Sequence, residues 1–250
     1  MGDLRLKSPH QSRSFPQEAI VLAGGLGKRL RSVVPDLPKP MASVANRPFL
    51  AHVLIYLAQQ GVRRVILSVG YKSEILMDCF GASFHGLALE YVIEQHPLGT
   101  AGGLRLGLEQ VQGDRAFVLN GDTLFDVTLS ELNESFEQHV AQVVMAVKPM
   151  SDCTRYGAVQ IDEGQRVTGF WEKGRQGPGL INGGVFLLDR HLHGALADCF
   201  SFETDFLQPN INQLIVTAVV CDGFFIDIGI PEDYVAAQTL LANRVQNLLG

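Results

Sequence analysis

"AIVLAGGLGKRL", Ala19 to Leu30, passes from an apolar run, Ala19–Ala23, directly into a loop that holds Gly24, Gly25 and Gly27 beside Lys28 and Arg29. A short apolar run ending in glycines reads as a buried strand leaving a sheet. Glycines let main-chain N–H groups approach an anion with no side chain in the way, and the two cations add charge. The loop is therefore predicted to hold a phosphate group.

The text on either side supplies the fold around it. Phe49, Leu50, Val53, Leu54 and Leu57 recur at helical spacing after Pro48, a residue suited to a first helical turn, and Gly61 ends the helix. "RRVILSVGY" (63–71) and "LALEYVIEQ" (87–95) read as strands. Ala101–Val111 reads as a helix with Leu104, Leu108 and Val111 on one side, and "AFVLNGD" (116–122) as a further buried strand. Such alternation implies an α/β fold with a doubly wound, mostly parallel mixed sheet of Rossmann-like form. Ligands of these sheets collect beyond the carboxyl ends of the strands. The glycine loop and Asp122, which follows Asn120, both fall on that edge, so two separate motifs are predicted to face one crevice.

The second half has shorter strand candidates, at Val143–Val147, Ala158–Ile161, Val167–Trp171, Gly184–Leu188 and Ile215–Val220, separated by turn-rich segments. They are expected to extend the sheet and to form a small lid region. Pro231–Leu249 opens with Pro-Glu-Asp and reads as a closing helix that turns Tyr234, Ala237, Leu240 and Leu241 towards the core. Residues 1–16 read as a loosely ordered leader and 17–250 as one domain, with no repeat and no domain-scale linker.

At 250 residues, 46% of them hydrophobic, the chain is long enough to bury about 70–75% of its unfolded surface. The net charge of −6 argues against a general attraction to nucleic acid or to anionic membranes, so any phosphate site must be built from local cations. The leader lacks the apolar core of a secretory signal or a membrane span. Cys79, Cys153, Cys199 and Cys221 are widely spaced and indicate neither a zinc cluster nor a disulfide framework; reduced thiols in a cytoplasm are the default. His191 and His193 have no third ligand nearby in sequence and read as surface residues.

Two phosphate-binding patterns lose support from what stands in the loop, and a dehydrogenase stays only as a third, weaker reading. A P-loop needs a glycine where Leu22 lies and a hydroxyl where Arg29 lies. A dinucleotide fold wants a third glycine at Leu30 and an acidic ribose ligand about 20 residues on, yet nothing between Leu37 and Ser73 is acidic. What does fit is the extension "GGLGKRLRSVVPDLPKPM" (24–41), where Lys39 stands between Pro38 and Pro40 as a third cation on a stiffened segment.

This stretch resembles the signature of the sugar-1-phosphate nucleotidyltransferases, and later motifs resemble the same family in the same order: "EQHPLGTAGGL", "VLNGDTLF", "RYGAV", "FWEKG", "INGGVFLL" and "FIDIGIPEDY". The likeness covers about Ala19 to Leu240. Within the family, "INGGVFLLDRHL", "EKG" without a following proline, and "FSFETDFL" are most similar to the D-glycero-α-D-manno-heptose 1-phosphate guanylyltransferases. The resemblance implies a nucleotide-binding half at 17–142, a sugar-binding half at 143–230, and attack by a sugar 1-phosphate on an NTP, GTP in this branch, with release of pyrophosphate. Lys28 stands where the family usually has Thr, and Ile230 where it usually has Thr before Pro231.

The resemblance also assigns roles. Leu22, Ala23, Gly24, Gly25 and Gly27 would cradle the triphosphate, Lys28 and Arg29 would hold its outer phosphates, and Lys39 would sit near the bond that breaks. Gln95 would read the base edge, with Gly99 and Thr100 leaving room for base or ribose. Asp122 and Asp227 would bind Mg²⁺. Gly157, Glu172, Lys173 and Asn182 would hold the sugar phosphate. Taken alone, Asp122 reads first as a turn aspartate and Glu172–Lys173 as a surface pair, and only the order of the motifs gives them a role in the site. Another sugar and NTP pair (mannose, glucose or N-acetylhexosamine 1-phosphate) and a catalytically silent NDP-sugar-binding subunit stay open, as does assembly into a homo-oligomer.

Overall fold

A computed structural model describes residues 14–249 except Leu26, Lys28, Arg31, Glu172, Lys173, Arg175, Asp198 and Cys199. In chain order the elements are β1 (Glu18–Leu22), β2 (Ser43–Val44), β3 (Arg47–Pro48), α1 (Phe49–Gln59), β4 (Arg64–Val69), α2 (Ser73–Phe80), β5 (Ser83–Phe84), β6 (Leu87–Ile93), α3 (Gly99–Gln110), β7 (Arg115–Asn120), β8 (Thr123–Phe125) and α4 (Leu129–His139). There follow β9 (Val143–Met150), β10 (Ala158–Ile161), β11 (Val167–Trp171), β12 (Gly179–Asp189), helical turns over 190–207, α5 (Gln208–Asn210), β13 (Val216–Val220), β14 (Phe225–Asp227) and α6 (Pro231–Leu249). The helices α2 and α4 go beyond those the apolar spacing picks out, and β9 and β12 run longer than predicted.

Ten strands form one sheet, in the order β11-β10-β12-β7-β1-β4-β6-β5, with β9 on β12 and β13 on β9. β6, β4, β1 and β7 are mutually parallel. β12 runs antiparallel to β7, and β9 antiparallel to β12. The chain thus leaves β1 towards β4 and β6, then returns to the other side of β1 for β7. That reversal opens a crevice beyond the carboxyl ends of β1 and β7.

Each face of the sheet has its own core. On one lie Leu50, Leu54 and Leu57 of α1, Leu76 of α2, Leu132 of α4, and Ala237 and Leu241 of α6. On the other lie Leu104 and Leu108 of α3 with Leu192, Phe202 and Phe206 of the later turns. Both cores draw residues from both halves of the chain. α3 lies close to the sheet because Gly107 carries no side chain: a Cβ there would come 2.7 Å from Ile20.

Two expectations need correcting. The leader's loose character does not extend through Pro16, because Pro16 is buried and the Phe15 ring packs on Phe117 at 5.3 Å between centroids. An aromatic ring with a core partner does not stay in solvent; residues 1–13 lie outside the described part. On α6, Ala237 and Leu241 are buried and Tyr234 half-buried, but Leu240 is 44% exposed. Adjacent helical residues sit about 100° apart, so the helix that seats Leu241 turns Leu240 outward. No helix among the described residues is long and apolar enough to cross a membrane.

Candidate active site

The loop after β1 forms one wall of a cavity of about 430 Å³, to which Leu22, Ala23, Gly24, Gly25, Gly27 and Arg29 all contribute. Gly27 has a φ of +57°, and a Cβ on it would touch the Lys39 side chain at 3.0 Å, so both conformation and space call for glycine. Lys39 begins a short 3-10 turn, Lys39–Met41, in which Pro40 and Met41 are buried. Its stem is therefore anchored while its ammonium reaches into the cavity.

That ammonium meets two carboxylates. It pairs with Asp122 and lies 3.6 Å from Asp227 Oδ1. Asp122 stands just beyond β7. Asp227 arrives from far along the chain because β14 pairs antiparallel with β8, setting Asp227 opposite Thr123, and the Ile228 amide donates to the Asp122 carbonyl at 3.0 Å. The Gly229 amide donates to Asp227 Oδ1 at 2.7 Å. Burial, and then the charge of Asp122, push the Asp227 carboxyl above the usual carboxylate range, with Lys39 partly offsetting them. Two carboxylates sharing one cation leave the spot short of positive charge. A hard divalent ion that takes two protein carboxylates and completes its shell with phosphate and water fits that donor set. No cluster of three or more acidic, His or Cys ligands exists among the described residues.

The far wall lies between β6 and α3, where Gly99 and Thr100 line the cavity as predicted for a base or ribose pocket. Gln95 does not: it is exposed and off the lining, and its neighbour Glu94 faces in. Side chains near a strand end still alternate, so a one-residue shift exchanges the inward and outward sides. Glu94 is held by the Ser68 hydroxyl at 3.0 Å and by the Leu98 amide at 3.2 Å. A Cβ on Gly24 would run into its carboxylate.

A second cavity of about 150 Å³ adjoins the first, with Asn120 lining both and Asp227 lining the second beside Lys39. Gly157 and Asn182, predicted to hold the sugar phosphate, meet there with Tyr156 and Glu203. Asn182 donates to Glu203 at 2.5 Å and accepts from the Gly184 amide at 2.9 Å across an irregularity in β12. Lys28, Glu172 and Lys173 lie outside the described residues. The sequence reading missed Glu94, Asn120, Tyr156, Glu203 and Phe200, another residue of the larger cavity. Each belongs to or borders a stretch the motif comparison had singled out, so the available signal was nearness to a motif.

Comparison with known proteins gives the family. The model of the family described as nucleotidyl transferase matches residues 18–244. The chain is 45% identical to the D-glycero-alpha-D-manno-heptose 1-phosphate guanylyltransferase of Aneurinibacillus thermoaerophilus, over 91% of this chain and 100% of that one. It is 46% identical to the enzyme of the same name from Campylobacter jejuni, over 87% and 96%. A crystal structure of HddC from Yersinia pseudotuberculosis complexed with GMP-PN superposes with a TM-score of 0.80 at 36% identity, covering 90% of this chain and 100% of that one. The mixed sheet, the glycine loop at its reversal point and a family match running almost end to end place this chain in the nucleotidyl transferase family.

Proposed function

We propose that the protein transfers GMP from GTP to D-glycero-α-D-manno-heptose 1-phosphate, giving GDP-heptose and pyrophosphate. A phosphate oxygen of the sugar 1-phosphate attacks the α-phosphorus, and the bond from that phosphorus to the oxygen bridging to the β-phosphate breaks. The observation that carries this reading is the meeting of the two cavities at Lys39, Asp122 and Asp227, a junction suited to a reacting phosphate between a nucleotide and a sugar. The relatives named above favour the heptose and GTP pair.

Two anionic substrates repel, so catalysis rests on alignment and charge neutralisation. Main-chain amides of Gly24, Gly25 and Gly27 cradle the triphosphate, Arg29 holds its outer phosphates, and Lys39 faces the bond that breaks. Asp122 and Asp227 would hold Mg²⁺, which when bound neutralises phosphate charge. Lys28, Lys173 and Glu172 keep the roles that the family resemblance implies, and a cytoplasmic location goes with this reading. The base contact passes from Gln95 to Glu94, whose carboxylate accepts hydrogen bonds only; guanine alone of the common bases offers adjacent N1–H and N2–H donors.

The test is pyrophosphate release with Mg²⁺, each NTP in turn and a panel of hexose and heptose 1-phosphates. GTP with the heptose phosphate should give the highest kcat/KM, and Glu94→Gln should cut the preference for GTP over ATP at least tenfold. Release with no pair, despite tight NDP-sugar binding, would favour the silent regulatory reading.

A further inference from the structure

Among the described residues, the lining of the larger cavity has one aromatic, Phe200, and that residue is 61% exposed. Trp171, the other aromatic among the strongly exposed apolar side chains, lies away from the cavity. Phe200 belongs to the second half of the chain, yet it sits against the glycine at the head of α3. A Cβ on Gly99 would lie 2.8 Å from the Phe200 Cγ and closer still to its carbonyl, and Gly99 has a φ of +71°. The ring is held from both sides of its backbone: the Ala101 amide donates to the Phe200 carbonyl at 3.1 Å, and the Phe200 amide donates to Asp205 at 3.1 Å. The next residues are pinned as well, with Ser201 donating to Asp205 at 2.8 Å and the Phe202 amide donating to the Thr100 hydroxyl at 2.9 Å.

An exposed ring ordinarily turns into a core or rests on a neighbour, because leaving its faces in water is unfavourable. Here the backbone holds it on the cavity lining against Gly99, next to Leu98, whose amide donates to the lining residue Glu94. Of the two substrates only the nucleotide has a flat apolar part, and stacking on an aromatic face is tolerant of which base is present. We propose that Phe200 binds the nucleotide by stacking on its base and so aims the α-phosphate at the junction of the two cavities. The proposal rests on the nucleotidyl transfer reading above. Its binding contribution comes from a segment that also carries Glu203 into the sugar cavity, so one loop touches both substrate sites.

Calorimetric titration with GDP, ADP, UDP and CDP tests it. Phe200→Ala should weaken GDP binding about tenfold, and Phe200→Tyr should stay within about twofold of wild type. In steady state Phe200→Ala should raise KM for GTP by a similar factor while KM for the sugar phosphate stays within about twofold. Because the ring is exposed, its removal should leave the melting temperature unchanged, which separates stacking from a structural role. In a Trp171→Phe background, the fluorophore of Phe200→Trp should be quenched by GDP over the range in which calorimetry shows binding. Wild-type affinity for GDP in Phe200→Ala, or an unquenched fluorophore, overturns the proposal. A wild-type protein that binds none of the four nucleotides overturns the transfer reading and this role together.

Discussion

At the scale of single residues the site is governed by an excess of negative charge around one lysine. Asp227 is held where burial and Asp122 disfavour its ionised form, so in metal-free protein its charge works against folding at neutral pH. The sign is that of an acid with a raised folded-state pKa: its contribution to stability is present below the unfolded pKa and is lost as pH rises through the folded one. Asp227→Asn should therefore melt at or above the wild-type temperature in EDTA at pH 7. Asp122→Asn and Asp227→Asn should each lower kcat about a hundredfold or more, measured by pyrophosphate release. Wild-type rates in both would overturn the proposed metal role of these two carboxylates. The thiols divide in the same physical way. Burial, with Glu131 adding to it, pushes Cys221 up to about 11, whereas Cys79 is exposed. Iodoacetamide at pH 8 should label Cys79 and spare Cys221 in native protein, as read by peptide mass spectrometry. Lys39, Asp122 and Asp227 were legible in the sequence because each sits in its own short motif that resembles the family. Glu94 was not, since choosing between residues 94 and 95 requires knowing which side of the strand end faces the crevice.

Among the elements, α6 and the β8–β14 pair do the most to shape the site. Tyr234 and Gln238 of α6 both donate to the Ser43 carbonyl, at 2.8 and 2.7 Å, and Ala45 donates back to Gln238 at 3.1 Å. Arg155 pairs with Asp233 and Arg244 with Asp126, tying the helix to the loop before β10 and to the turn after β8. β14 enters α6 four residues after Asp227, so a loosened helix would loosen that carboxylate. Leu241 is 1% exposed and Leu240 44% exposed. Leu241→Ala should cost about 2–5 kcal/mol and Leu240→Ala under about 0.5 kcal/mol by urea unfolding, with the first also reducing turnover. The amphipathic period of α6 was readable; its exact rotation against the sheet was not, because Leu240 and Leu241 are both apolar and only docking chooses between them.

For the molecule as a whole, the two cores run through both halves of the chain and the sheet joins them through β7 and β12. Neither half keeps its apolar residues buried alone. Calorimetry should show one unfolding transition, and two well-separated ones would mean that the halves fold independently. A ligand seated between the halves stabilises both, so GDP at about 100 times its Kd should raise the melting temperature by about 5–10 °C. The net charge of −6 gives no long-range attraction for such a ligand; the loop amides, Arg29 and Lys39 attract it at short range.

From the sequence alone came the alternation of strands and helices and the phosphate loop with its cations, while the candidate roles of Asp122 and Asp227 came from the family resemblance of the motifs around them. The first two depend on local periods and on the backbone freedom of glycine, which neighbouring residues specify. Tertiary structure alone decided that Asp227 stands beside Asp122, that Glu94 rather than Gln95 faces the crevice, and that Phe200 crosses to the head of α3. Those outcomes depend on the register of strands far apart in the chain and on the rotation of docked elements, and no hydrophobic pattern encodes either one.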